Sequence, residues 1–279
     1  MSSADPGARR AAVVGSPVGH SRSPQLHLAA YAALGLAGWR YDRLECDEEG
    51  FAGLLAGLGP EWVGLSVTMP DKLVALELAS TATERARVVG AANTLVRSGP
   101  ERQASGWHAD CTDVDGVRGA LAELGVVDLG GARAVVVGAG GTARAFLVAL
   151  AGLGVARVDL AVRSADRAAG AVACAEAAGL TVRVVGLDEL APASAGAAVT
   201  VSTVPAAGSA AVAQAVARCP RVLDVLYDPW PTPVAQAVAA AGGHVVGGLA
   251  VLLHQAYGQV ELFTGRPAPR AAMQVALEG

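Results

Sequence analysis

The sequence predicts an α/β fold in two domains, a small N-terminal α/β domain followed by a doubly wound one. Three observations carry that prediction. The 279 residues are 53% apolar and only 16% charged, with 35 glycines, a balance suited to buried Val/Ala/Leu strands joined by Gly-rich turns. Short apolar runs alternate with helical periodicity along nearly the whole chain. In the second half, one strand runs into a glycine-rich turn and then a helix. The length is sufficient for two buried cores.

Taken in order, residues 11–15 read as a strand, followed by a polar loop and a helix over 25–34. Strands follow at 39–46, 63–68 and 94–97, with helices near 49–57 and 71–78, and this alternation predicts a small parallel-type sheet. A helix over 113–124 is broken by glycines at 125 and 130–131. Beyond it come strand 133–138, helix 142–152, strand 157–162, helix 165–178 and strand 181–185. Strand 197–201, helix 209–217, strand 221–226, helix 233–241 and a short strand at 244–246 complete the doubly wound series. A helix over 249–263 follows. The expected domains are 1–112 and 113–248, with the C-terminal helices of about 249–279 returning to the first.

Charge and cysteine content exclude several classes of function. The net charge is −4 with no Lys/Arg cluster, so nucleic acid is not an expected partner. Four scattered cysteines without a Cys-x-x-Cys pair support free thiols in the cytoplasm, and no metal site. The uncharged tracts 190–217 and 229–260 are punctuated by Gly and Pro and contain Gln and His, so they read as buried elements, not membrane spans. A soluble protein with a small-molecule ligand is expected. The first ten residues read as a disordered tail.

The string Val135-Val136-Val137-Gly138-Ala139-Gly140-Gly141-Thr142-Ala143-Arg144 is strand, turn and helix start. Gly138 allows the tight turn, Gly140 lets the backbone approach a pyrophosphate, and Ala143 takes the helix-packing position of a Rossmann-type dinucleotide loop. The anion would sit at a helix N-terminus, where free N–H groups point outward. The next strand ends in Val162-Arg163-Ser164, with Arg167 one turn on. Two guanidiniums and a hydroxyl suit a 2′-phosphate, whereas an NAD site wants an acid there; Asp159 comes too early in the strand. NADP is therefore favoured over NAD.

Lys72 is the only lysine among 21 Lys and Arg residues. Arginine stays charged in proteins, whereas a lysine amine shifts its pKa on partial burial, so a lone lysine after a strand-like run and Pro70 suggests a proton that is exchanged. In Gly15-Ser16-Pro17-Val18-Gly19-His20-Ser21-Arg22-Ser23-Pro24, Ser21 and Ser23 precede a helix where hydroxyls and backbone amides can bind a carboxylate. Ser23 could equally be an N-cap ahead of Pro24, and His20 a structural hydrogen-bonding residue or a catalyst. The Asn93 amide can read a hydroxyl. Asp113 opens a helix, with Asp110 and Asp115 competing for any acid role.

These strings, together with Ala-Asn-Thr at 92–94, Thr-Asp-Val-Asp-Gly at 112–116, Asp-Val-Leu-Tyr-Asp-Pro at 224–229 and Gly-Leu-Ala-Val-Leu-Leu-His-Gln-Ala at 248–256, stand in one order. In that order the chain resembles the shikimate dehydrogenase family along nearly its whole length. The resemblance implies an N-terminal substrate domain and a Rossmann-type NADP-binding domain, with the active-site cleft between them. It implies that Ser21 and Ser23 hold a substrate carboxylate, that Thr68, Asn93, Tyr227 and Gln255 hold hydroxyls, and that Lys72 and Asp113 form the catalytic pair. It further implies a cofactor site of Gly138, Ala139, Gly140, Gly141, Thr142, Arg144, Arg163, Ser164, Arg167 and Thr203, with Val225 and Gly248 beside the nicotinamide. The implied reaction is the reversible, NADP-dependent reduction of 3-dehydroshikimate to shikimate in chorismate biosynthesis, by a cytoplasmic monomer or homodimer. Quinate or an aminoshikimate is the alternative substrate, and a non-catalytic NADP-binding regulator the alternative class. Four departures from the usual family pattern stand out: Ser66 and Cys111 where Asn is usual, Val162 where Asn usually precedes the Arg, and Val251 where Met is frequent.

Overall fold

A computed structural model describes residues 8–97 and 106–278. Residues up to Thr112 join those from Gln255 onward in one unit, and Asp113–His254 form the other.

The first unit begins β1 (Arg9–Gly15), α1 (Ser23–Ala33), β2 (Trp39–Glu45), α2 (Glu48–Gly57), β3 (Trp62–Val67) and α3 (Lys72–Leu78). It continues with β4 (Thr81–Ala82), α4 (Glu84–Val89), β5 (Thr94–Arg97) and β6 (Trp107–Asp110). The strand order is β2-β1-β3-β5-β6-β4. In β1, Ala12 and Val14 face one core with Phe51, Leu65 and Val67, while Ala11 and Val13 face another with Tyr31, Trp39 and Tyr41. Burial on both faces explains why β1 reads as an unbroken apolar run rather than an alternation.

Two expectations need correction here. The sheet is mixed, because β5 runs antiparallel to both β3 and β6. The sequence hid this because β6 is the four-residue Trp-His-Ala-Asp, with no β-branched residue, and β4 is only two residues long. The N-terminal tail was also drawn too long, since β1 starts at Arg9 and Arg10 bonds Asp42 of β2 (2.6 Å). Residues 1–7 of that tail lie outside the described residues.

The second unit begins α5 (Asp113–Glu123), β7 (Arg133–Val137), α6 (Gly141–Gly152), β8 (Arg157–Ala161), a 3₁₀ turn (Ala165–Ala168), α7 (Ala169–Ala177) and β9 (Thr181–Val185). It continues with α8 (Leu190–Ala195), β10 (Val199–Ser202), α9 (Ala206–Val216), β11 (Arg221–Asp224), α10 (Pro233–Ala240) and β12 (His244–Gly247). All its strand pairs are parallel, in the order β12-β11-β10-β7-β8-β9. This is the doubly wound arrangement, with the order in which strands are added reversing between β7 and β10. Asp159 in β8 is committed to two guanidiniums, Arg133 and Arg183.

The second unit ends within α11 (Gly248–Thr264), and α12 (Arg270–Glu278) follows. A Cβ on Gly64 would lie 2.1 Å from the Phe263 ring, so Gly64 is what lets the end of α11 lie on the first sheet. Among the described residues no helix is long and apolar enough to cross a membrane.

Candidate active site

In the first unit the carboxyl ends of β1 and β3 share an edge, since the two strands are parallel. The antiparallel pairings Ser66 with Thr94 and Thr94 with Asp110 bring the start of β5 and the end of β6 to the same edge. Loops at such an edge carry backbone and side chains free of the sheet ladder. This edge collects the loops of Ser21 and Ser23, of Thr68 and Lys72, and of Asn93 and Thr112.

The β1–α1 loop is latched by β2. Arg43 donates twice to the Ser21 carbonyl (3.2 and 2.6 Å), and Glu45 accepts from the Ser16 hydroxyl (2.9 Å). Helix α1 begins at Ser23 and no side chain caps it, so Ser23 is not an N-cap. Ser23 is buried instead, and its backbone N–H donates to Ser21 Oγ (3.3 Å). His20 is exposed in the loop.

Thr68 N–H donates to the Val14 carbonyl (2.8 Å), and a Cβ on Gly15 would lie 2.3 Å from Thr68 Cγ2. Glycine at 15 thus permits the close approach of the two strand ends. Lys72 opens α3, and its carbonyl accepts from Ala92 N–H (2.8 Å), tying the lysine to the turn that delivers Asn93. Asp71, just before it, is fully buried, and neither carboxyl oxygen has a hydrogen-bond partner among the described residues. Burial, reinforced by Glu48 and Asp47, pushes its pKa up to about 6.

Asn93 is held from several sides. The Thr112 backbone N–H donates to Asn93 Oδ1 (2.7 Å), which fixes the amide orientation, since that N–H can only donate. Asn93 Nδ2 then donates to Thr112 Oγ1 (3.0 Å) and Gln255 Oε1 (3.1 Å). Gln259 Nε2 donates to the Asn93 carbonyl (3.1 Å) and Thr94 Oγ1 (3.0 Å), while its Oε1 accepts from Ser66 (2.7 Å). His27, fully buried, lies 3.3 Å from the same Oε1. Burial drives its pKa down to about 3, so the neutral ring donates there. Asp110 is taken out of contention as an acid. Burial alone would raise its pKa, but bonds from Arg85 (2.6 Å), Thr83 and Cys111 N–H outweigh that and hold it below the ordinary carboxyl range. Asp113 and Asp115 both lie in the first turn of α5, half-buried.

In the second unit, Gly138 has φ +106°, and a Cβ there would lie 2.4 Å from Thr203 Oγ1. That contact marks the switch point, because Gly138 follows β7 and Thr203 follows β10. Thr203 also donates to the Val137 carbonyl (2.8 Å). A Cβ on Gly140 or Gly141 would meet nothing within 4 Å, so the start of the twelve-residue helix α6 borders open space. Ala139 and Thr142 are half-buried beside it. Arg163 and Arg167 are exposed after β8, with Ser164 half-buried between them. Arg144 lays its guanidinium over Gly170 at the start of α7. Fully buried Asp224 accepts from Thr232 (2.6 Å) and Leu226 N–H (3.4 Å), shaping the loop that carries Val225 and Tyr227. A Cβ on Gly248 would lie 1.9 Å from the Val225 carbonyl oxygen. Among the described residues no group of three or more His, Cys, Asp or Glu is placed to hold a metal ion.

A family model for the shikimate dehydrogenase substrate binding domain matches residues 13–95, and one for the shikimate 5'-dehydrogenase C-terminal domain matches 248–278. Shikimate dehydrogenase (NADP(+)) of Halobacterium salinarum is 40% identical over 271 residues, covering 95% of this chain and 97% of that protein. The chain belongs to the shikimate dehydrogenase family. The crystal structure of Mycobacterium tuberculosis shikimate dehydrogenase superposes with a TM-score of 0.89 at 52% identity, covering 97% of this chain and 99% of that one. The Thermus thermophilus shikimate 5-dehydrogenase, solved with NADP(H) and shikimate, gives 0.79 at 29% identity, with coverage of 97% and 98%.

Sequence reasoning assigned no role to Tyr41, Thr112, Asp224 or Gln259, which bond to Ser66, Asn93, Thr232 and Thr94 in turn. One signal was available for Gln259: it stands four residues after Gln255, hence on the same face of a helix.

Proposed function

We propose that the protein catalyses the reversible reduction of 3-dehydroshikimate to shikimate with NADP(H). The observation that carries this reading is the shared edge of the first unit, where the loops of Ser21, Ser23, Thr68, Lys72 and Asn93 converge in a chain of this family. The first unit would be the substrate domain and the second the NADP-binding domain. Ser21 and Ser23 would hold the carboxylate. Thr68, Asn93, Gln255 and Tyr227 would hold the ring hydroxyls.

The open helix start at Gly138–Thr142 fits a pyrophosphate, and the exposed Arg163 and Arg167 with Ser164 fit a 2′-phosphate. Arg144, Thr203, Val225 and Gly248 complete the proposed cofactor site. NADPH, when bound, supplies the hydride. Reduction of a carbonyl builds negative charge on its oxygen, and the Lys72 ammonium would stabilise that charge and deliver the proton. Asp113 would hold Lys72 and the hydroxyl in register. In the reverse direction the pair takes the hydroxyl proton.

Among the described residues all four cysteines are free thiols, which suits a cytoplasmic enzyme. A monomer or homodimer is proposed. The test is to mix protein, shikimate and NADP and follow absorbance at the NADPH band. A shikimate-dependent rise is expected. A flat trace with NADP bound would instead favour a non-catalytic NADP-binding regulator.

A further inference from the structure

Two buried side-chain amides of the first unit, Asn93 and Gln259, have every hydrogen-bonding position taken, and one hydroxyl joins them. Gln259 Nε2 donates to the Asn93 backbone carbonyl (3.1 Å) and to Thr94 Oγ1 (3.0 Å). That carbonyl can only accept, so the oxygen of the Gln259 amide must be the atom facing Ser66 (2.7 Å) and His27 (3.3 Å). Thr94 therefore receives a proton from Gln259 and keeps its own to give. It gives it to Asn93 Oδ1 (2.8 Å), whose other lone pair takes the Thr112 backbone N–H (2.7 Å). With its oxygen filled from two sides, the Asn93 amide presents Nδ2 to Gln255 Oε1 (3.1 Å) and Thr112 Oγ1 (3.0 Å). Gln255 Nε2 is then turned away from Asn93, because the oxygen and nitrogen of an amide lie on opposite sides of its carbon.

Thr94 is well placed for this part. Its backbone pairs with Ser66 on one side and Asp110 on the other, and the whole residue is buried. A β-branched side chain on a paired strand has little freedom at χ1, so only the hydroxyl hydrogen can turn. Thr112 Oγ1 lies 3.2 Å from both Thr94 Oγ1 and Asn93 Oδ1, the longer and weaker alternative to the Thr94 bond. Without the Thr94 hydroxyl, Thr112 would have to accept from and donate to the same amide. Asn93 would then be held through its oxygen by one residue alone and could pivot about it. Buried networks are sensitive in this way because every member must keep a partner.

We propose that Thr94, acting with Gln259, is a positioning residue for shikimate. It fixes the Asn93 amide so that Asn93 and Gln255 meet the ring hydroxyls in a single orientation. This rests on the reading of the site given above, in which Asn93 and Gln255 hold those hydroxyls. Thr94 itself acts only through its neighbours.

The test is steady-state oxidation of shikimate at saturating NADP by the parent, Thr94→Val and Thr94→Ser. Valine keeps the branched shape and removes the hydroxyl, whereas serine keeps the hydroxyl. In Thr94→Val the KM for shikimate is expected to rise about three- to tenfold, with a smaller change in kcat and an unchanged KM for NADP. Thr94→Ser should return the shikimate KM to the parental value. A parental KM in Thr94→Val would overturn the proposal and leave the functional reading intact. An equal loss in Thr94→Ser, or a parallel rise in the KM for NADP, would also overturn it, since either marks a general loosening of the fold. If Thr94→Val does not fold, neutron diffraction from crystals of the parent reads the arrangement directly. The Thr94 deuteron is expected to point at Asn93 Oδ1, with the Asn93 Nδ2 deuterons directed to Gln255 and Thr112. A Thr94 deuteron aimed at Thr112, or an Asn93 nitrogen facing the Thr112 N–H, would overturn the proposal. A parent protein that does not oxidise shikimate overturns the functional reading itself, and this inference with it.

Discussion

Lysine differs from arginine in that its proton can leave, and this chain uses lysine once. Lys72→Ala should lower turnover by roughly 10²–10⁴, the usual cost of losing a positioned acid or base, with NADP affinity little changed. Steady-state kinetics with a nucleotide titration checks both. Asp71, next to it, makes a separate prediction about stability. Its folded pKa of about 6 lies above the ordinary 3.8, so the folded protein keeps this proton to higher pH than the unfolded chain does. That favours folding below about pH 4 and is lost as pH rises toward 6. Asp71→Asn should therefore be more stable than the parent at pH 8, by about 1–3 kcal/mol, and the gap should narrow toward pH 4. Denaturant midpoints at the two pH values measure it, and an equal gap at both would contradict the burial argument. At this scale the sequence marked Ser21, Ser23, Thr68, Lys72 and Asn93 because they stand in short contiguous strings. It did not mark the link from Ser66 to Gln259, 193 residues apart, which exists only once α11 lies on the first sheet.

At the scale of elements, the decisive unit is β7, its glycine turn and α6. Gly138 works there because its backbone is in the left-handed region and Thr203 fills the space a side chain would need. The exposed arginines after β8 give the test of nucleotide choice. Arg163→Ala should weaken NADP binding far more than NAD binding, as titrations of the two nucleotides would show. Equal losses would contradict a 2′-phosphate role. The strands of this half were legible because each is a short run holding Val or Leu, set between longer Ala-rich helical stretches. Helix α8 was not, since Leu190–Ala195 is only six residues with Pro192 inside it. In the first half, β4, α4 and β6 escaped for the same reason of shortness. The sheet was read as parallel because the antiparallel direction of β5 is set by tertiary pairing, which leaves no local pattern.

At the scale of the molecule, the chain leaves the first unit at Thr112 and re-enters it within α11 at Gln255. That return puts Gln255 and Gln259 beside Asn93, so the first unit's polar network needs both ends of the sequence. Specificity follows from that network. With NADP, kcat/KM for shikimate should exceed that for quinate by about tenfold or more, because quinate carries one more hydroxyl, which this network would have to bury without a partner. Comparable values would point to a broader enzyme in which Ser66 and Cys111 loosen the choice. The most direct test of the site uses the lone lysine, since an amine-directed reagent can label only Lys72 and the N-terminus. Saturating shikimate should slow labelling of Lys72, read by peptide mass spectrometry, while labelling of the N-terminus continues unchanged. Equal labelling of Lys72 with and without shikimate would contradict its place in the site.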